Sequence, residues 1–282
     1  MESKDNKIES IKTINCSGKL LTFDTCKVMG VINVNQDSFY PGSRVFKEAD
    51  LLKKVEQFID EGVDILDVGG ISTRPHADLF NAQEELKRVV GAVESISRKF
   101  PSLLLSIDTF RSDVAREAIY AGADIVNDVY GGSYDGKMFQ TVTELNVPYI
   151  LMHSRGDAQD MMYRNDYVNL VKDVVLELSI KLQELRRFGV KDVIIDPGFG
   201  FAKNGAQNFE LLHGIDHLKV LDCPLLIGLS RKSMICEKLG IQSDQALNGT
   251  TVLNTFAYMK GASILRVHDV KEAREIIDLL EI

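Results

Sequence analysis

Polar residues able to do chemistry recur in this chain at the ends of short apolar runs. Asn33, Asp67, Asp108, the pair Asn127-Asp128, His153, Asp196, the triplet Ser230-Arg231-Lys232, and Arg266 with His268 each close such a run. Taken singly, each reads equally well as a helix cap, an Asx turn or a satisfied structural histidine. Repetition at one structural position argues instead for a shared site. Gly228-Leu229-Ser230-Arg231-Lys232-Ser233 sets two cations where a helical pattern opens. There they oppose the helix dipole by about 0.3–1 kcal/mol each, so both are expected to face something anionic or polar. Arg266-Val267-His268 spaces an arginine and a histidine two apart, on one side of a strand, as a grip for phosphate. In Asp67-Val68-Gly69-Gly70-Ile71-Ser72-Thr73-Arg74-Pro75, paired glycines precede two donors, as in a loop that closes over a substrate. The residues alone thus predict a pocket holding carboxylates and cations together, for a phosphorylated small molecule.

Something must bring these ends to one place. β-rich runs at 28–34, 65–68, 103–107, 125–127, 149–152, 193–195, 225–227 and 264–267 alternate with helical patterns, clearest at 47–61, 82–99, 113–121, 166–188 and 245–260. Several runs are apolar without alternation, as strands buried on both faces must be. Eight strands alternating with helices predict an α/β fold, a (β/α)8 TIM barrel, whose active sites lie at the C-terminal ends of the strands. A doubly wound open sheet is the runner-up. Residues 11–15 and 20–23, joined by Ser17-Gly18-Lys19, predict an N-terminal β-hairpin that plugs the other end. One domain is expected over 1–282, with 1–25 as the hairpin extension and 26–282 as the barrel.

Composition sets the outer limits. With 282 residues, the chain matches a barrel of about 250 residues. Its 33 basic and 41 acidic residues give a net charge of −8, which disfavours nucleic acid or an acidic membrane as a partner. No apolar run approaches the length of a membrane span, and the charged first residues lack a signal-peptide core. Four cysteines without Cys-x-x-Cys spacing fit a reducing, cytoplasmic setting.

The motifs together resemble the dihydropteroate synthases, a family of pterin-binding TIM barrels. The resemblance runs in order through Met29-Gly30-Val31-Ile32-Asn33, Asp67-Val68-Gly69-Gly70, Ser72-Thr73-Arg74-Pro75, Ser106-Ile107-Asp108-Thr109 and Asn127-Asp128-Val129. It continues through Asp196-Pro197-Gly198-Phe199-Gly200-Phe201, Ser230-Arg231-Lys232-Ser233 and Arg266-Val267-His268-Asp269-Val270. It implies condensation of 6-hydroxymethyl-7,8-dihydropterin diphosphate with 4-aminobenzoate, giving 7,8-dihydropteroate and diphosphate. By the same resemblance Asp108, Asn127, Asp196 and Lys232 hold the pterin. Asn33, Thr73, Arg266 and His268 take the diphosphate, with Asn33 on Mg²⁺, and Arg74, Pro75, Phe201, Ser230 and Phe39 receive 4-aminobenzoate. Asp108, Asp196, Lys232, Arg266 and His268 form the implied catalytic set. The resemblance also implies a homodimer through the late helices, 245–260 and 270–280, and two closing loops, 35–46 and 71–80.

Departures concentrate in the first of those loops. Asn35-Gln36 stands where the family has Thr-Pro, and Pro41 where it has an acidic residue, while Asp37 and Phe39 remain. Ile71 and His76 alter the second loop. These changes bear on rate and sulfonamide response, and they leave a catalytically silent pterin-binding homologue as one alternative. A methyltetrahydrofolate–corrinoid methyltransferase is another, though it has no diphosphate to bind and no use for both cationic segments.

Overall fold

The computed structural model describes residues 12–34, 44–70, 82–156 and 163–281. Two short antiparallel strands, β1 (Thr13–Cys16) and β2 (Lys19–Thr22), open it. Eight parallel strands follow: β3 (Lys27–Asn33), β4 (Ile65–Gly69), β5 (Leu104–Asp108), β6 (Ile125–Asp128), β7 (Tyr149–Met152), β8 (Val193–Asp196), β9 (Leu226–Ile227) and β10 (Ile264–Val267). Their order, β8-β7-β6-β5-β4-β3-β10-β9, closes through a parallel bridge between Ile195 and Leu225. The sheet is therefore a barrel and not an open doubly wound sheet.

Nine helices are described between and after these strands: α1 (Arg44–Asp60), α2 (Ala82–Lys99), α3 (Ser112–Tyr120), α4 (Met138–Leu145), α5 (Leu170–Phe188), α6 (Gly205–His213), α7 (Ser233–Leu239), α8 (Leu247–Met259) and α9 (Val270–Leu280). The sequence places α2 at its observed bounds but starts α5 too early, at residue 166. Asn169 sets the true start, because its side chain accepts a hydrogen bond from Lys172 N at 3.1 Å. Gly189 ends the same helix in the left-handed conformation (φ 102°), which a residue without Cβ adopts freely. The main core lies between barrel and helices. On α2 it takes Val89, Val93 and Ile96, spaced along one helical face.

Side chains alternate along a strand, so each strand can be followed inward in steps of two. Met29, Ile65, Leu104, Ile125, Ile150, Ile194, Leu226 and Ile264, one from every barrel strand, form a single buried apolar cluster. The hairpin residues Ile14, Cys16 and Leu21 belong to that cluster, so the hairpin seals the N-terminal end of the barrel as expected. One step up, the same strands carry Val31, Asp67, Ser106, Asn127, Met152, Asp196, Gly228 and Arg266. The interior turns polar between one rung and the next. A further step gives Asn33, Gly69 and Asp108, with Ser230 and His268 beyond β9 and β10.

Candidate active site

The upper rungs converge on one ion cluster. Asp67 on β4 is fully buried, and its Oδ2 accepts hydrogen bonds from Arg266 Nε at 2.7 Å and Asn127 Nδ2 at 3.0 Å. Arg266 on β10 also donates from Nη2 to Asp108 Oδ2 at 2.8 Å. One guanidinium thus bridges two buried carboxylates, from β4 and β5. Burial works against the charge of Arg266, yet Asp67 and Asp108 raise its pKa above the usual arginine value. Burial pushes the Asp108 carboxyl up; Arg266 opposes this, and Asp67 reinforces it. Asp67 Oδ1 has no hydrogen-bond partner among the described residues. An orphaned buried carboxylate oxygen is costly, and it marks a place where a donor belongs.

Asn127 gives its amide nitrogen to Asp67, which leaves its oxygen to accept from a ligand. Backbone register sets it beside Asp108, and Asp108 beside Gly69, which lies beside Asn33. A Cβ built on Gly69 would stand 3.1 Å from Asn33 Oδ1 and 3.7 Å from Asp108 Cβ, so Asn33 overhangs the same mouth. Asp196, on the opposite wall, anchors a turn by accepting from Gly198 N at 2.7 Å. Burial raises its carboxyl above the ordinary value, with Lys232 pulling the other way.

Lys232 caps α7, and its Nζ donates to Phe199 O while lying 4.9 Å from the Phe201 ring centroid. A Cβ on Gly228 would lie 3.9 Å from both Lys232 Nζ and Arg266 Cβ, so both cations flank the end of β9. Burial pushes the Lys232 amine down to about 8, with Asp196 opposing and Arg266 adding to the fall. Ser230 Oγ accepts from His268 N at 3.2 Å and lies 3.0 Å from His268 Nδ1, joining the ends of β9 and β10.

Not every predicted residue faces the mouth. Arg231 was expected there with Lys232, but it takes a left-handed turn (φ 56°) and points outward. Its guanidinium grips Asp269 at 2.9 and 2.8 Å and the carbonyls of Ser243 and Asp244. The pair of adjacent cations is thus split between a strut and the site. Arg266 reaches Asp67 and Asp108 within the barrel, while His268 is joined to Ser230 at the strand ends above it. His153 is buried and paired to Glu177 and Lys203, and Asp128 is a turn anchor, accepting from Tyr130 N and Gly132 N. Thr73, Arg74, Pro75 and Phe39, with loop residues 35–43 and 71–80, lie outside the described residues. In the sequence Asp67 reads only as a strand end; its pairing joins residues 199 apart, which no local pattern reveals.

The geometry has known counterparts. A family model for pterin binding enzymes matches residues 29–268. A dihydropteroate synthase of Streptococcus pyogenes is 40% identical over 267 residues, covering 93% of this chain and 97% of that protein. The Xanthomonas albilineans dihydropteroate synthase solved with 4-aminobenzoic acid superposes with a TM-score of 0.87 at 35% identity, over 96% of this chain and 97% of that one. The same enzyme in complex with 7,8-dihydropteroate gives 0.82 at 31% identity, over 95% and 96%. The polar rungs, the closed barrel and this near-complete coverage agree: the chain belongs to the pterin-binding enzyme family, among the dihydropteroate synthases.

Proposed function

We propose that the mouth of this barrel condenses 6-hydroxymethyl-7,8-dihydropterin diphosphate with 4-aminobenzoate, releasing diphosphate and 7,8-dihydropteroate. The observation that carries the reading is the convergence of Asp108, Asn127, Asp196 and Lys232 above an apolar floor, beside a guanidinium held by two carboxylates. Buried carboxylates suit the N–H-rich edge of a pterin, and they stabilise positive charge that develops on it. The bond from the pterin methylene to the diphosphate oxygen breaks with its electron pair leaving on diphosphate. The amine nitrogen of 4-aminobenzoate then attacks the methylene and loses one proton. Asp196 and Asp108 orient the pterin and counter its cationic character. Asn127 Oδ1 accepts from the ring, and Lys232 addresses its heteroatoms.

Asn33, Thr73, Arg266 and His268 are assigned to the diphosphate, and Arg74, Pro75, Phe201, Ser230 and Phe39 to 4-aminobenzoate. Among the described residues no cluster of three or more His, Cys, Asp or Glu could hold a metal. The single amide oxygen of Asn33 fits a Mg²⁺ that arrives with the diphosphate, since Mg²⁺ keeps waters and substrate phosphates as ligands. When bound, that ion would offset charge on the leaving group. Exposed Val252 and Met259 on α8 and Leu279 on α9 support a homodimer through the late helices, which sedimentation would test. No described helix is long and apolar enough to cross a membrane.

Diphosphate release measured with both substrates and Mg²⁺ tests the reading. Release that depends on 4-aminobenzoate supports it. Pterin diphosphate binding without release would instead identify a silent pterin-binding protein.

A further inference from the structure

Behind the wall formed by β7 and β8 lies a polar network that the proposed chemistry does not use. Lys203 is almost wholly buried, and its Nζ donates to Gly198 O, Phe201 O and His153 Nδ1, each at 3.0 Å. Burial and the neighbouring Lys203 hold the His153 imidazole down at about 4, so it is neutral. Accepting at Nδ1 requires its proton on Nε2, which then donates to Glu177 Oε2 at 3.1 Å. Burial opposes the charge of Glu177, yet His153 and Arg155 hold its carboxyl at about 2. Arg155 Nε donates to both Glu177 oxygens at 3.1 Å, and its guanidinium lies 3.9 Å from the ring centroid of Tyr167. The Tyr167 hydroxyl then donates to Ala202 O at 3.0 Å. The path returns to where it began, one residue before Lys203.

What this closed circuit encloses is the turn of residues 198–201 and the residue after it. Gly198, Gly200 and Ala202 all have positive φ (70°, 79° and 51°), and Ala202 does so with a Cβ. A Cβ on Gly198 would meet His153 O at 2.0 Å, so this backbone runs tight against β7. A turn of that shape is not locally preferred and must be held by its surroundings. It presents the two groups that meet Lys232: the carbonyl of Phe199 and the ring of Phe201. Asp196 is tied to β7 through its carbonyl, which accepts from His153 N at 2.8 Å, and to the turn through its side chain, which accepts from Gly198 N at 2.7 Å.

We propose that Lys203 is a positioning residue for the arylamine half of the reaction: through Gly198 O and Phe201 O it holds the turn that sets Phe201 and Phe199 O against Lys232. His153, Glu177, Arg155 and Tyr167 keep Lys203 and the turn in register. The inference rests on the synthase reading, because it is Phe201 that is assigned to 4-aminobenzoate. Lys203 touches no substrate; it acts through the backbone it holds.

The test separates the two substrates in the full-length chain. In Lys203→Met, three buried acceptors lose their donor, and KM for 4-aminobenzoate is expected to rise about tenfold or more. Affinity for dihydropterin diphosphate, by calorimetry, falls by a clearly smaller factor, because Asp108 and Asn127 sit on β5 and β6, away from the turn. A variant in which both constants move by the same factor, or neither moves, overturns the positioning role while the synthase reading stands. Absence of 4-aminobenzoate-dependent diphosphate release in the unsubstituted chain defeats the synthase reading itself. If Lys203→Met does not fold, Tyr167→Phe decides, since it deletes only the hydroxyl at the far end of the circuit. A rise of about threefold in KM for 4-aminobenzoate, with unchanged pterin affinity, supports the role, and an unchanged KM overturns it.

Discussion

Asp67→Asn isolates the hub beneath the site, because it keeps the shape of the side chain and removes one charge. Two buried carboxyls share one guanidinium; in the variant only the Asp108 carboxyl remains to pair with Arg266. The 2.7 Å bond from Arg266 Nε would end on a neutral carbonyl instead of a carboxylate. The bond from Asn127 becomes neutral on both sides, and since bonds to charged groups contribute about 1.5–3 kcal/mol and neutral ones about 0.5–1.5, the loss is about 1–2 kcal/mol. In a chain of this size that lowers Tm by roughly 2–8 °C. The functional loss should be separate. Arg266 and Asn127 share Asp67 Oδ2, and loosening both should cost a tenfold to hundredfold drop in kcat/KM for dihydropterin diphosphate, or about 1.4–2.8 kcal/mol. The assay is diphosphate release at saturating 4-aminobenzoate, run beside a thermal melt. Asp64→Asn provides the control. Asp64 sits at the opposite end of the same strand, where its Oδ2 accepts from Val28 N at 2.7 Å and from Arg274. It should lose stability on a similar scale and keep kcat/KM within about twofold. If Asp67→Asn melts lower but retains wild-type kcat/KM, Asp67 is only a strut and the hub argument fails.

Asp196→Asn removes the carboxylate from the wall opposite Asp108, and dihydropterin diphosphate should bind at least about tenfold more weakly by calorimetry; unchanged affinity would remove Asp196 from the pterin assignment. Lys232 carries its charge below its value of about 8 and loses it above, so the rate should fall as pH rises through 8. Lys232→Arg, charged throughout, should flatten that limb of the pH–rate profile, and a profile with the same limb would assign it to another group. Leu21→Ala empties part of the hairpin plug; a loss of about 2–4 kcal/mol in chemical denaturation is expected with kcat unaltered, and a kcat change would show that the plug reaches the mouth.

The fold was legible because its strands are apolar on both faces and end on polar residues. All eight barrel strands occur where their runs predict them, within one or two residues. Two short helices escaped, α4 of eight residues and α6 of nine, whereas α3, also of nine, was legible at 113–121. The reciprocal capping box of Asn204 and Gln207 was the available cue for α6. For the site, residue types located Asp108, Asn127 and Asp196 at strand ends and Lys232 where a helix opens, as they stand in the fold. Pairing was hidden, because it depends on which strands become neighbours. Arg231 and Lys232 are adjacent in sequence, yet one is claimed by Asp269, 38 residues away, and the other by the site. Lys203 reads as an ordinary surface lysine until the fold closes over it.

The polar rungs also bear on how this chain could be cut and rejoined. Asp67, Asn127, Asp196 and Arg266 come from four separate strands, and their alignment depends on the closed ring and not on the order in which the chain visits it. The turns at the hairpin end, such as residues 189–192 between α5 and β8, touch none of the site residues named above. Opening the polypeptide there and joining it elsewhere would change the itinerary of the backbone while leaving the mouth's geometry as it is. The chain can be opened at the hairpin end of the barrel while the chemistry stays at the other.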